Sequence, residues 1–417
     1  VSASRVVVDP SALSPAPLTP PLSKSDAHRA LTLGALLGVA PRLGASGPLP
    51  SDVRVLREGL VALAGAGDVE VDCADGGAPF RILLTQAALR PGATTRFTGT
   101  PRLGERPHAA LLEALARTLG PVGFGAVQEG APWPLRVQGA SARAPEPRFS
   151  IDGSASSQYA SSLLLGAAAL CLREGRAWSV ELTGTPTSEG YLALTEDWVR
   201  RAGFHLVHEG RLLTVTGHTP APLPPVPGDW SSIGYLALVA WRSGGVVRNA
   251  DPAAAHPDRA LLGVLEQVGL SWRVGVEGLA VAGAPRGGLR ASGTDCPDLL
   301  PTLAALACVL PGPSLLTEVS VLRAKESDRL EGIRALAAAA GARTVLEGDT
   351  LTLHPPERPP QALALSSRED HRQAMAAATL AVLTGARLTL EGPEVVAKSF
   401  PGFWDELTRS GVRLTRP

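Results

Sequence analysis

Along the 417 residues, nearly unbroken apolar stretches rich in Ala and Leu alternate with amphipathic ones, and the pair recurs six times. The apolar members each open on a polar motif: SKSDAHRALTLGALLG from Ser23, GGAPFRILLTQAAL from Gly76, SASSQYASSLLLGAAAL from Ser154, DWSSIGYLALVAW from Asp229, DCPDLLPTLAALACVL from Asp295 and DHRQAMAAATLAVLTG from Asp370. Helices apolar on every side predict burial in a domain core, with sheets outside them. A short strand and a Gly-containing loop follow each, then a second helix: DVRVLREGLVAL, RPHAALLEALARTLG, YLALTEDWVRRAG, PDRALLGVLEQVG, SDRLEGIRALAAAAG and FPGFWDELTRSG. Most of these carry apolar residues at i, i+3, i+4 and i+7, the spacing of one buried face. Gly120, Gly203, Gly269, Gly341 and Gly411 stop five of them, and the first runs into AGAG. Alternation in HLVHEGRLLTVTG and ARTVLEGDTLTLHPP predicts β-hairpins. The N-terminal SRVVVDP and C-terminal VRLTRP are strands without local partners and are expected to pair with each other. The apolar helices start roughly 55 to 80 residues apart, too far and too unevenly for a solenoid.

Six units divide as three and three. His218–Gly228 carries five prolines in eleven residues and reads as one crossing, with the Pro20-Pro21 pair as the other. The expected domains are therefore a discontinuous one, 1–20 with 228–417, and a continuous one, 21–227, with a cleft between them. Composition narrows the class: 45% hydrophobic and 19% charged residues describe a soluble globular protein. Lys plus Arg equals Asp plus Glu at 39 each, so no basic excess points to nucleic acid. The N-terminus has no charged region followed by an apolar one, so no signal peptide is expected. Apolar runs of about 12 residues are too short to span a membrane. Cys73, Cys171, Cys296 and Cys308 lack metal-type spacing and read as buried free thiols rather than disulfides or ligands. The expectation is a cytoplasmic monomer with no membrane, nucleic-acid or metal partner and no cofactor.

Polar residues collect where the apolar helices begin. Helix N-termini present free N–H groups and the positive end of the dipole, a natural anion site. Lys24, Ser25 and Arg29, Arg102 and Arg106, and Ser156, Ser157 and Gln158 lie at such starts in the first half. Arg323, Lys325 and Arg329, His371 and Arg372, and Lys398 do so in the second. Surface solvation explains scattered arginines, not this repeated placement, so an anionic ligand is expected. Asp298 and Glu326 stand among these cations. Alone, either could be structural, as a helix-start charge or an ion-pair partner in the KESDR run. Together they form the acceptor and donor that acid–base chemistry requires, while the cations stabilise developing negative charge. No Gly-rich phosphate loop, HExxH pair or GxSxG elbow competes.

In order along the chain, SKSDAHRAL, SDVR, TGTPRLGERP, DGSASSQY, TSEGY, PDLLPTLA, LRAKESDRL, EDHRQAM and AKSFPGFWDEL resemble the 5-enolpyruvylshikimate-3-phosphate synthase family of enolpyruvyl transferases. The resemblance implies an α/β fold of two domains, each an inside-out barrel of three βαβαββ units, joined by two crossovers. It implies transfer of the enolpyruvyl group of phosphoenolpyruvate to the 5-hydroxyl of shikimate 3-phosphate, with release of phosphate. Lys24, Asp298 and Glu326 would be catalytic: Asp298 accepts the hydroxyl proton, Glu326 protonates the methylene carbon, and Lys24 joins the proton traffic. Phosphoenolpyruvate would be held by Lys24, Gly77, Arg106, Gln158, Arg329, Arg372 and Lys398. Shikimate 3-phosphate would contact Lys24, Ser25, Arg29, Ser156, Ser157, Gln158, Ser188, Tyr191, Asp298 and Lys325.

The chain departs from the family at three places. Leu22 replaces the Gly of Pro-Gly-Ser-Lys-Ser, and Val321 stands where a polar residue is common. The usual Asn-Ala-Gly-Thr-Ala-x-Arg loop is Asp75-Gly76-Gly77-Ala78-Pro79-Phe80-Arg81 here. Losing the Thr hydroxyl and gaining a carboxylate beside an anion predicts weakened phosphoenolpyruvate binding. Two alternatives stay open at this point: the sister enzyme acting on UDP-N-acetylglucosamine, and a non-catalytic anion-binding relative. The first typically has a Cys in the loop that reads TPRLGERP here. Only three of the 39 basic residues are lysines, and all three, Lys24, Lys325 and Lys398, fall on matched site motifs. An ammonium is compact and can exchange a proton, whereas a guanidinium is broad and effectively always charged.

Overall fold

A computed structural model describes residues 4–43, 48–120, 123–126, 133–140, 144–154, 156–184 and 189–416. Two compact units divide the chain. One comprises Val1–Ser23, Ala45–Pro50 and Pro227–Pro417; the other comprises Lys24–Gly44 and Ser51–Val226.

Five of the six repeats build a four-stranded sheet in which two antiparallel strands extend a parallel pair, and in four of the five a strand–helix–strand unit lays down that pair. Val69–Asp72 and Thr94–Thr98 are parallel, with Val69 opposite Thr95, and Thr94–Thr98 then pairs antiparallel with Leu135–Gln138. The same plan repeats for Arg148–Asp152 beside Trp178–Thr183, continued by the hairpin Phe204–Glu209 and Leu212–His218. The chain ends meet as expected: Arg5–Asp9 lies between Arg387–Glu391 and Arg413–Thr415, antiparallel to both. One sheet also takes Pro17–Leu18, parallel to Val246–Val247. Two residues are too short to carry a periodicity, which is why this strand is invisible in the sequence.

The first repeat differs from expectation. Helices Lys24–Leu37 and Ser51–Ala64 form, but no strand stands between them among the described residues. Pro41, Pro48 and Pro50 have no N–H to give a ladder, which disfavours a strand there. The fifth apolar helix also starts later than Asp295, at Leu300. Leu299 donates its N–H to the Cys296 carbonyl in a turn that leaves Asp298 ahead of the helix.

In each unit the apolar helices fill the core. Gly166 on Ser157–Glu174 lets Gly77–Ala88 come so near that a methyl at Gly166 would lie 2.7 Å from Thr85 Cγ2. Thr85 and Ser162 hydroxyls bond across this crossing, and Ser162 Oγ also donates to the Arg81 carbonyl at 2.7 Å. Leu163 and Leu164 beside it are fully buried, each contributing about 1.5–3 kcal/mol through removal from water. In the other unit Trp230–Ser243, Leu300–Ala307 and His371–Thr384 play the same part, and Met375, Leu380 and Leu303 are sealed off from solvent. All four cysteines are free and buried. Among the described residues no helix is long and apolar enough to cross a membrane.

Candidate active site

In the unit formed by Lys24–Gly44 and Ser51–Val226, the candidate residues sit at the starts of the buried helices. Lys24 opens its helix, and its Nζ lies 3.0 Å from Asp52 Oδ2, a pair with little exposure. Asp52 stands in the first turn of the next helix, and a methyl at Gly76 would come within 3.2 Å of its Oδ1. Gly77 follows, and a methyl there would lie 2.2 Å from Arg106 Nη1, so only glycine lets this guanidinium rest against the helix start.

Arg81, one turn along the same helix, positions the chain next to Arg106. Its Nη2 and the Tyr159 hydroxyl both donate to the Pro107 carbonyl, at 3.2 Å and 2.5 Å. Arg81 Nη1 donates to Gln158 Oε1, fixing that side chain, and the guanidinium lies over the Tyr159 ring. Ser156 caps the helix by accepting from the Gln158 N–H, and Ser157 is buried behind it. Arg29 ties two helices: it donates to the Ser25 and Tyr191 carbonyls at 2.7 and 2.8 Å and to Thr195 Oγ1 at 2.9 Å. Burial, only partly countered by Asp26, pulls this guanidinium down to about 10. Ser188 lies outside the described residues. Arg102 is exposed beside Glu105.

In the other unit, one buried guanidinium organises the site. The Arg329 side chain is 1% exposed and meets three carboxylates: Nη1 donates to Asp298 Oδ1 at 2.7 Å, Nη2 to Glu326 Oε2 at 2.6 Å and Nε to Asp370 Oδ2 at 2.8 Å. Arg372 Nη2 takes the other Asp298 oxygen at 2.8 Å, and Lys398 Nζ stands 4.0 Å from Glu326 Oε1. A buried charge is tolerable only when paired in this way. Burial alone would raise the Asp298 carboxyl, but Arg372, Arg329 and Lys325 outweigh it and hold the group well below the usual carboxylate range. For Arg329, burial works against the charge while Asp370, Glu326 and Asp298 more than offset it, keeping the guanidinium firmly protonated. Arg323 is exposed against Asp328, the N-cap of Arg329–Ala339. Val321 packs at the edge of the apolar core.

Three contributors were not singled out as site residues in the sequence. Asp52 and Asp370 lie inside the SDVR and EDHRQAM motifs, but only the fold reveals their partners. Asp370 is fully buried; its Oδ1 caps His371–Thr384 through the Arg372 N–H at 2.9 Å, and its Oδ2 holds Arg329 and Ser327 Oγ. Arg81 closes the altered loop, and its link to Pro107 is non-local. Each unit thus carries its own set of fixed donors at helix N-termini, one with Lys24, Arg106 and Gln158 and the other with two carboxylates on a shared arginine. Such donors fit ligands with phosphate and carboxylate groups.

Residues 42–407 match the family described as EPSP synthase (3-phosphoshikimate 1-carboxyvinyltransferase). The chain is 36% identical to the 3-phosphoshikimate 1-carboxyvinyltransferase of Methanoculleus marisnigri, covering 94% of this chain and 96% of that one. It is 32% identical to the protein of the same name from Methanopyrus kandleri, over 94% and 95% of the two chains. In three dimensions it is similar to the EPSP synthase of Acinetobacter baumannii, with a TM-score of 0.74 at 18% identity over 99% of this chain and 100% of that one. The enolpyruvyl transferase NikO from Streptomyces tendae gives 0.68 at 16% identity over 100% and 99%. At such identities the solved structures speak for the fold alone.

Proposed function

The chain belongs to the EPSP synthase family, and we infer from that premise that it is a transferase of the shikimate pathway. It transfers the enolpyruvyl group of phosphoenolpyruvate to the 5-hydroxyl of shikimate 3-phosphate and releases phosphate. Family membership makes the UDP-N-acetylglucosamine reaction and the non-catalytic relative the less favoured readings. The observation that carries the chemistry is the sharing of Arg329 by Asp298 and Glu326: one anion-binding group stands between a proton acceptor and a proton donor.

We propose these roles. Asp298 takes the proton of the 5-hydroxyl as that oxygen bonds to C2 of phosphoenolpyruvate. Glu326 gives a proton to the methylene carbon, and the product of addition is a tetrahedral intermediate. Loss of a methyl proton and of phosphate restores the double bond as an enol ether. Lys24, Gly77, Arg106, Gln158, Arg329, Arg372 and Lys398 hold phosphoenolpyruvate, and the positive charges of the lysines and arginines among them stabilise the negative charge that builds up during addition and phosphate departure. Lys24, Ser25, Arg29, Ser156, Ser157, Gln158, Ser188, Tyr191, Asp298 and Lys325 hold shikimate 3-phosphate. Both sets of residues bear on one pair of substrates, in the cytoplasm and in a monomer that needs no cofactor. The direct test is acceptor choice. Phosphate release from phosphoenolpyruvate should require shikimate 3-phosphate; release with UDP-N-acetylglucosamine in its place would reverse the assignment.

A further inference from the structure

In the unit that carries Asp298 and Glu326, the three cations assigned to phosphoenolpyruvate, Arg329, Arg372 and Lys398, already face the protein's own carboxylates. Asp298 and Glu326 occupy the two terminal nitrogens of Arg329, Asp298 also holds Arg372, and Lys398 faces Glu326. The groups around Glu326 come from every element packed there: Arg329 at the start of its helix, Lys398 at the end of Pro393–Lys398, Asp370, His371 and Arg372 at the start of His371–Thr384, Asp298 ahead of Leu300–Ala307, and Lys325 and Asp328 on its own loop. Arg329, Arg372, Lys325 and Lys398 face Asp298, Glu326 and Asp370. A ligand bearing a phosphate and a carboxylate therefore meets a cluster with little positive charge to spare, and Arg329 and Asp370 at its centre are buried. Seating it there with all three carboxylates ionised leaves negative charge poorly compensated away from water.

We propose that phosphoenolpyruvate loads its own acid: its arrival on Arg329, Arg372 and Lys398 displaces Glu326 from its cations and draws a proton from solvent onto that carboxylate. The proposal rests on the phosphoenolpyruvate-binding roles given above and deepens them. Glu326 is the recipient because both cations beside it, Arg329 and Lys398, are ligands of the incoming anion. Asp298 faces three cations, Arg372, Arg329 and Lys325, against two for Glu326, and so stays ionised as the base. The proton balance closes. Solvent supplies one proton to Glu326, which passes to the methylene carbon, while the hydroxyl proton goes to Asp298. On elimination Glu326 recovers a proton from the methyl group and the departing phosphate takes the one on Asp298. Glu326 returns its proton to solvent when it regains Arg329.

The probe is O-phospholactate, which keeps both anionic groups but has no double bond to protonate. It is titrated calorimetrically into the full chain saturated with shikimate 3-phosphate at pH 8, in two buffers of different ionisation enthalpy. A phosphate monoester loses its second proton near pH 6, so the ligand is fully ionised there. The expected result is uptake of roughly one proton per ligand bound, by the linkage between binding and protonation. Glu326→Gln, checked for folding by its melting temperature, should abolish the uptake and bind the probe as tightly or severalfold more tightly. Asp298→Asn should leave the uptake in place. Absence of uptake in a wild-type chain that turns over its substrates overturns the proposal, and so does uptake that survives Glu326→Gln. A wild-type chain without turnover would instead count against the assigned reaction.

Discussion

At the scale of single residues, the scarcity of lysine proves informative. Lys24 lies against the buried Asp52, whose other oxygen closely approaches Gly76, so the broader, planar head of arginine would have to displace that carboxylate. Lys24→Arg is expected to lower kcat/KM by about 10²-fold or more, the usual scale for a lost proton-transfer group, while costing only about 1–2 kcal/mol of stability through crowding. Near-wild-type turnover would refute a proton role for Lys24. Asp75 concerns the other substrate: its carboxylate lies one residue from Gly76 in the loop that departs from the family. Asp75→Asn combined with Ala78→Thr should lower the KM for phosphoenolpyruvate, and steady-state kinetics showing an unchanged KM would dispose of the idea. Lys24, Asp298 and Glu326 were legible because residue type and family motif agree. Asp52 and Asp370 were not, because an aspartate in the first turn of a helix has a sufficient local explanation in capping and the dipole. Their second partners, Lys24 and Arg329, lie 28 and 41 residues away in sequence.

At the scale of elements, helix burial could be read from composition, but helix approach could not. YASSLLLGAAAL announces a buried helix; it does not say that Gly166 lies against Thr85. That threonine is fully buried and hydrogen-bonded to Ser162, so it cannot turn aside for a methyl group. Gly166→Ala should therefore destabilise by about 1–3 kcal/mol through overpacking, although alanine is the better helix former. Gly263, on the exposed face of Leu261–Gln267, has open space where a methyl group would stand, with nothing within 4 Å, and Gly263→Ala should stabilise by up to about 1 kcal/mol. Opposite shifts in chemical denaturation midpoints are expected, and equal signs would contradict the packing argument. The strands show the same division. Hairpins with alternating faces were evident, whereas Pro17–Leu18 reaches its partner at Val246–Val247 only through the tertiary fold.

At the scale of the molecule, acid sensitivity follows from two buried imidazoles. Burial, above all, pulls His28 down from 6.5 to about 3, and His108 to about 4. His108 Nε2 bonds to the Leu103 carbonyl, while its Nδ1 and the Nε2 of His28 are buried with no hydrogen-bond partner among the described residues. Charging either ring therefore costs more in the native state than in the unfolded one. Because the unfolded chain binds the extra protons, stability should be fully present above pH 6.5 and decline as pH falls toward 4, by about 1.4 kcal/mol per pH unit for each histidine once the unfolded state is protonated. Melting temperature against pH would show this slope, and His28→Asn should shallow it; an unchanged slope would remove His28 from the account. The central claim is that Asp298 and Glu326, held on one buried arginine, run an enolpyruvyl transfer. It is tested most directly by following phosphate release from phosphoenolpyruvate and shikimate 3-phosphate, for the wild type and for Glu326→Ala. The account predicts release only with both substrates present, and a loss of about 10²-fold or more in the variant while it remains folded. Release without shikimate 3-phosphate, or undiminished release by Glu326→Ala, would contradict it.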